Sequence, residues 1–253
     1  MSLLLEAKKV DKYFGGLAAN RGLTFDIKKG EILGLIGPNG SGKTTLINVI
    51  TGNYTADNGS IQFKGREIMG LTSYKINRLG IARTYQVVQP FFGMTVRENV
   101  VASVLFGRNG AGLTVKAALE RADEMLEFCH MSEKKNELVE NVTLVDVKRL
   151  EIAKAMGTGP ELLLMDEVMA GLNPKEIDQA LELVTKINKM GITIFVVEHV
   201  MKAVMTISHR VMVLHQGALM AIGTPEEIVK DQKVIKAYLG EKYATRRRNL
   251  GGN

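Results

Sequence analysis

Three short, continuous apolar runs recur along the chain, Glu31 to Ile36, Glu161 to Met165 and Ile192 to Val197. Runs of this length without alternation are what strands buried on both faces of a parallel sheet require. Elsewhere the pattern alternates: Leu23, Phe25 and Ile27 against Thr24 and Asp26 predict a half-buried strand over Leu23–Ile27, with Leu3–Val10 as a further strand. Between them Tyr13-Phe14-Gly15-Gly16 reads as a turn carrying two aromatics. Asp57-Asn58-Gly59 turns the chain into Ser60–Phe63 and Lys64-Gly65 turns it out, which suggests a small antiparallel sheet near the N-terminus. Two later strands, Val211–His215 and Ala218–Ile222, flank Gln216-Gly217.

Helical spacing takes over between these strands. Thr44–Thr51 and Pro174–Met190 read as helices, and Val96 to about Met156 is mostly helical, with Ala117–Phe128 free of glycine and proline. Thr143-Leu-Val-Asp146 has the form of a capping box for the helix carrying Lys148–Met156, and Thr224-Pro-Glu-Glu227 starts another with proline at its first position. Leu239-Gly240 closes the last helix. The expected architecture is α/β: a core over 1–95 and 157–240 that includes the antiparallel β subdomain, a helical insertion over 96–156, and a basic tail over 241–253.

Chemistry enters at the end of the first apolar run. Gly37-Pro38-Asn39-Gly40-Ser41-Gly42-Lys43-Thr44-Thr45 fits G-x-x-x-x-G-K-[ST] at every fixed position and lies between a strand and a helix. Its glycines let backbone N–H groups converge on phosphate oxygens beside the helix N-terminus. Lys43 then supplies a point charge to the β- and γ-phosphates and Thr44 a hydroxyl to Mg²⁺. The stretch reads as an ATP or GTP site. The second apolar run ends in Asp166-Glu167, where one carboxylate can hold hydrated Mg²⁺ and the next can polarise a water. The third delivers Glu198-His199 to the same edge, where open α/β sheets place their ligands. Phe14 can stack on a base, although its pattern alone favours core packing. Gln86, between Gly80–Tyr85 and the loop Val87–Gly93, is unremarkable by itself.

Composition adds limits. The 253 residues carry 33 Lys+Arg and 27 Asp+Glu, a net charge of +6, and Arg246-Arg247-Arg248 supplies half of the excess. The basicity reads as a solvated tail, with no concentrated basic face for nucleic acid. The single cysteine, Cys129, allows no internal disulfide. No apolar run approaches the ~18 residues of a membrane span, and the early Glu6 argues against a signal peptide.

In this order the motifs resemble the ATP-binding subunit of ABC transporters from Leu4 to Leu239, most closely the branched-chain amino acid subfamily. The subfamily resemblance is carried by Phe14-Gly15-Gly16, Arg149-Leu-Glu-Ile-Ala153, Ala170-Gly-Leu-Asn-Pro174 and Ala237-Tyr-Leu-Gly240. It implies a P-loop NTPase (RecA-like) core that binds ATP and Mg²⁺. It also implies transmembrane permease subunits as partners, a second ATP-binding subunit as homo- or heterodimer, no nucleic acid, and a peripheral place on the cytoplasmic face of the cell membrane.

Residue by residue, the resemblance makes Phe14 the adenine-stacking aromatic and Gln86 a glutamine that reaches Mg²⁺ and senses the permease. Asp166 becomes the metal-supporting acid, Glu167 the catalytic base, His199 the γ-phosphate switch, and Gly171–Asn173 a loop meeting the opposite subunit. The family's Leu-Ser-x-Gly-Gln signature, which clamps ATP bound to that opposite subunit, falls on Val142-Thr143-Leu144-Val145-Asp146. Thr143 keeps the hydroxyl, Val145 replaces the glycine, and Asp146 brings a negative charge, which implies a weakened sandwich. Val168-Met169 is a smaller departure. The alternative raised by the altered stretch is a regulatory subunit that hydrolyses little and relies on a partner's intact signature, against which Glu167 and His199 stand. A small-molecule kinase would need an acceptor pocket that the helical segment does not suggest.

Overall fold

The computed structural model describes residues 2–85 and 89–237. Two long strands, β1 (Leu3–Phe14) and β2 (Leu17–Lys28), open the chain as an antiparallel hairpin. The sequence pattern predicts shorter strands and a turn that includes both aromatics. Instead the pairing continues to Phe14↔Leu17, because Gly15, at φ 57°, and Gly16 alone close the turn. Tyr13 and Phe14 therefore end a strand at an exposed hairpin tip.

β3 (Ile32–Ile36) and α1 (Lys43–Ile50) follow, then β4 (Asn58–Phe63), β5 (Arg66–Glu67), α2 (Ser73–Leu79) and β6 (Ile81–Arg83). Three helices, α3 (Val96–Phe106), α4 (Val115–Phe128) and α5 (Leu144–Gly157), occupy the stretch before β7 (Leu162–Asp166). The chain continues through α6 (Pro174–Lys189), β8 (Thr193–Val197), α7 (Met201–Ile207), β9 (Arg210–His215), β10 (Ala218–Gly223) and α8 (Pro225–Lys230). The first four-stranded sheet has the order β2-β1-β4-β5 and is antiparallel. The second has the order β10-β9-β3-β8-β7-β6 and is parallel except for β10.

The apolar runs are buried on both faces, as their lack of alternation predicts. Leu163, Met165, Ile194 and Val196 pack into a core shared with α3, α4 and α5. Their neighbours Leu162, Leu164, Phe195 and Val197 pack on the opposite side with α1 and the antiparallel sheet. This is the period-2 alternation of a strand put to use twice. The helices α2 and α7 have no counterpart in the sequence reading. Each spans seven residues, too few for a helical period to show.

The helix α7 is held close to the sheet at Gly34. A Cβ placed on Gly34 would collide with Val204 Cγ1 and lie 2.6 Å from Ser208 Oγ. A Gly34→Ala substitution overpacks this contact and is expected to cost about 1–3 kcal/mol. Urea unfolding checks it: the midpoint should fall while the slope stays unchanged.

Candidate functional site

The loop between β3 and α1 is shaped by glycine and by its own carbonyls. Gly40 and Gly42 have φ of 75° and 101°, which favour glycine. A Cβ on Gly42 would strike the Ala19 carbonyl oxygen and lie 2.5 Å from Asn20 Nδ2. Asn20, fully buried, donates from that nitrogen to Gly42 O at 3.0 Å and so ties β2 to the loop. Lys43 Nζ donates to Gly37 O at 2.8 Å and Pro38 O at 3.1 Å, which keeps the ammonium at the loop. Burial lowers the Lys43 pKa, and the nearby Glu167 and Asp166 carboxylates oppose that shift.

Register brings the acids to the same edge. β8 lies between β3 and β7, so Val197 is paired with Leu35 on one side and Asp166 on the other. Glu167, at φ 53°, donates its N–H to Val197 O at 2.9 Å, and its Oε1 meets His199 Nε2 at 2.5 Å. A left-handed glutamate is a costly conformation that persists where its surroundings fix it, as at active sites. Asp166 is fully buried; Oδ2 accepts from Arg83 at 3.0 Å and its N–H donates to Thr84 Oγ1 at 3.2 Å. Burial raises the Asp166 pKa, with Arg83 pulling the other way.

A cavity of about 1140 Å³ joins the phosphate loop to Glu167 and His199, while Asp166 lies buried behind its lining. It is lined by Phe14, Asn39, the loop from Gly40 to Thr45, Glu167 and His199. Phe14 is 44% exposed and touches Tyr54 edge-on, with ring centroids 5.3 Å apart, so the core-packing reading of Phe14 is wrong. The hairpin tip carries it beyond both cores. Gln86 lies outside the described residues. Thr143 does not line this cavity; it caps α5, and Gly171, at φ 77°, lies against Leu144 beside it.

The stretch from Thr143 to Asp146 closes on itself. Asp146 Oδ2 accepts from Thr143 N at 3.1 Å, from Thr143 Oγ1 at 2.6 Å and from Lys134 Nζ at 2.5 Å, while Asp146 N donates back to Thr143 Oγ1. Burial pushes the Asp146 carboxyl up, but these bonds outweigh it and hold the pKa below the ordinary value. The charge expected to oppose a phosphate is thus already partnered within the chain.

Several residues have roles at the site that no motif in the sequence assigns. Gln216 lines the cavity from the turn before β10. Glu198 accepts from Met169 N at 2.8 Å, and Lys148 donates to the carbonyls of Val168, at 3.1 Å, and Ala170. Together they hold the loop that follows Glu167. Burial, with Glu167 adding to it, raises the Glu198 pKa to about 7.

Among the described residues no group of three or more His, Cys, Asp or Glu side chains forms a metal site. Asp166 Oδ1 is nevertheless a buried oxygen with no hydrogen-bond partner. One hard carboxylate oxygen with a threonine hydroxyl suits Mg²⁺, which takes its remaining ligands from water and substrate phosphates.

Comparison with known proteins agrees with this geometry. The ABC transporter family model matches residues 20–170, and the branched-chain amino acid ATP-binding cassette transporter model matches residues 218–244. The high-affinity branched-chain amino acid transport ATP-binding protein BraF of Pseudomonas aeruginosa is 39% identical, over 94% of this chain and 98% of its own. Its counterpart LivG of Escherichia coli K12 is 40% identical over the same shares. The ADP conformation of an ATP-binding cassette of an ABC transporter superposes with a TM-score of 0.83 at 30% identity, covering 95% of this chain and 100% of that one. The phosphate loop, the paired acids at the strand edge and these matches place the chain among the ATP-binding subunits of ABC transporters.

Proposed function

We propose that the chain hydrolyses ATP to energise uptake of branched-chain or related amino acids through a membrane permease. The observation that carries this reading is the convergence of Lys43, Glu167 and His199 on one cavity beside the phosphate loop. The solute class rests on the names of the relatives.

In this reading the loop from Gly37 to Thr45 wraps the phosphates with its N–H groups, and Lys43 shifts from its carbonyls to the β- and γ-phosphates. Phe14 stacks on the adenine. Glu167 accepts the proton of the attacking water while His199, paired with it, meets the γ-phosphate. Thr44 and Asp166, with Gln86, would hold Mg²⁺, whose charge offsets that of the phosphate oxygens. Thr143 serves the ATP of a second subunit, so two chains share each site.

Residues 96–156 act as the coupling unit beside the core. Next to them a groove of about 340 Å³ is lined by Tyr85, Gln89, Phe91, Glu151 and Lys154. Phe91 in this groove and its chain neighbour Phe92 are 49% and 73% exposed, apolar side chains suited to a protein partner. We assign the groove to the permease. No described helix is long and apolar enough to cross a membrane, so the chain would reach the cytoplasmic face through that partner.

Glu167→Gln removes the base and keeps the shape. Phosphate release with Mg-ATP should fall by about 10²- to 10⁴-fold, with nucleotide affinity retained. Light scattering of this variant should show an ATP-dependent dimer. Unchanged phosphate release would sink the assignment of the base. A second pair of variants separates charge from bulk in the altered signature. Asp146→Gln should shift ATP-dependent dimerisation by no more than about twofold, since Lys134 and Thr143 already hold the charge. Val145→Gly should strengthen it by roughly fivefold or more by removing a steric conflict. The reverse ranking would mean that the carboxylate reaches the partner's phosphate.

A further inference from the structure

Arg83 ends β6 with its side chain only 7% exposed. A buried guanidinium facing a carboxylate commonly engages it with two nitrogens in a fork. Arg83 divides its contacts instead. One nitrogen donates to Asp166 Oδ2 at 3.0 Å, the other donates to Asn48 Oδ1 at 2.6 Å, and the carbon between them lies 4.6 Å from the centre of the Tyr85 ring.

Each contact leads to a different part of the machinery. Asp166 offers its second oxygen, Oδ1, buried and without a hydrogen-bond partner. Asn48 lies on α1 four residues after Thr44, so the two share a helix face. Tyr85, 41% exposed, lines the aromatic groove together with Arg83 itself. The guanidinium thus joins the two metal-side elements, β7 and α1, to the wall of the groove.

We propose that Arg83 is a positioning residue for the metal site: it occupies one oxygen of Asp166 and reserves the other for the metal, and through Tyr85 it ties that alignment to the groove. The proposal rests on the reading of Asp166 as the metal-supporting acid and of the groove as the permease seat. A buried carboxylate free to rotate would present either oxygen; one whose Oδ2 is held by Arg83, on a residue whose backbone N–H is fixed to Thr84 Oγ1, presents only the other. The link to Tyr85 is a cation–π contact, so moving the ring alters the field on the guanidinium.

The test measures binding of a non-hydrolysable imido analogue of ATP to the full chain by calorimetry, first in EDTA and then across a series of free Mn²⁺ concentrations. Arg83→Lys keeps a positive charge beside Asp166 but cannot bridge to Asn48, and Asn48→Ala frees the other end while leaving the ion pair in place. Both should need about tenfold more free Mn²⁺ to tighten the analogue half-way, with affinity in EDTA unchanged. Tyr85→Ala should shift the requirement in the same direction by roughly threefold.

A wild-type metal requirement in both Arg83→Lys and Asn48→Ala would overturn the positioning role. So would an equal loss of affinity in EDTA, which would put the effect on the phosphate loop. If Arg83→Lys does not fold, Asn48→Ala decides. A wild-type requirement in Tyr85→Ala, with the other two shifted, overturns the link to the groove. If the wild-type chain binds the analogue equally with and without Mn²⁺, the reading of Asp166 as the metal acid fails first.

Discussion

The register of three neighbouring parallel strands is the constraint on which the site depends. Val197 lies between Leu35 and Asp166, so β3, β8 and β7 end at one level. From that level the phosphate loop, Asp166-Glu167 and Glu198-His199 all emerge. A slip of one residue in any pair would turn the alternate side chains into the wrong core and carry the acids away from the loop. Because each strand buries a different set of side chains on each face, the two cores fix this register and thereby the catalytic spacing.

Packing alone leaves an electrostatic problem at that edge, since Lys43, Asp166, Glu167, Glu198 and Arg83 are all largely buried. The chain handles it by alternating sign and sharing hydrogen bonds. Asp166 has Arg83, Lys43 has two carbonyls and two acids nearby, and Glu167 has His199. Glu198 is the residue least compensated. Its raised pKa of about 7 means the folded chain keeps a proton there that the unfolded chain releases near the ordinary 4.5. The sign is fixed: this group withdraws stability as pH rises between those values, and it does so where it anchors the loop after Glu167. Strain at Glu167, with its positive φ, is held by the same network.

What was legible in the sequence follows from this division. The phosphate loop is local, so Gly37 to Thr45 could be read directly, and so could strands whose double burial shows as unbroken apolar runs. The acids were legible because they end those runs. Arg83, Asn20 and Lys148 were not, since each acts on a residue at least twenty positions away, and an isolated arginine or asparagine carries no period; Glu198 was placed at the edge, but not its bond to Met169 N. Phe14 shows a related limit: its local pattern favours a core, and only the hairpin's full length shows that it projects past one. The short helices α2 and α7 needed the groove at Gly34 and the sheet edge to define them.

The altered stretch at α5 shows how local and distant demands meet. Read locally, Thr143 and Asp146 make a capping box, and the structure forms it. Read against the family signature, the same Asp146 is a charge in the wrong place. Both readings use one carboxylate, and its surroundings decide between them: Thr143 donates to it twice and Lys134 once. A carboxylate with one oxygen engaged by three donors near a helix N-terminus projects less field than a free one, because donors and helix dipole both oppose its charge. The remaining departure is steric: Val145 puts a branched side chain where the family signature has glycine. In the proposed two-chain site, the altered signature therefore costs more through shape than through charge.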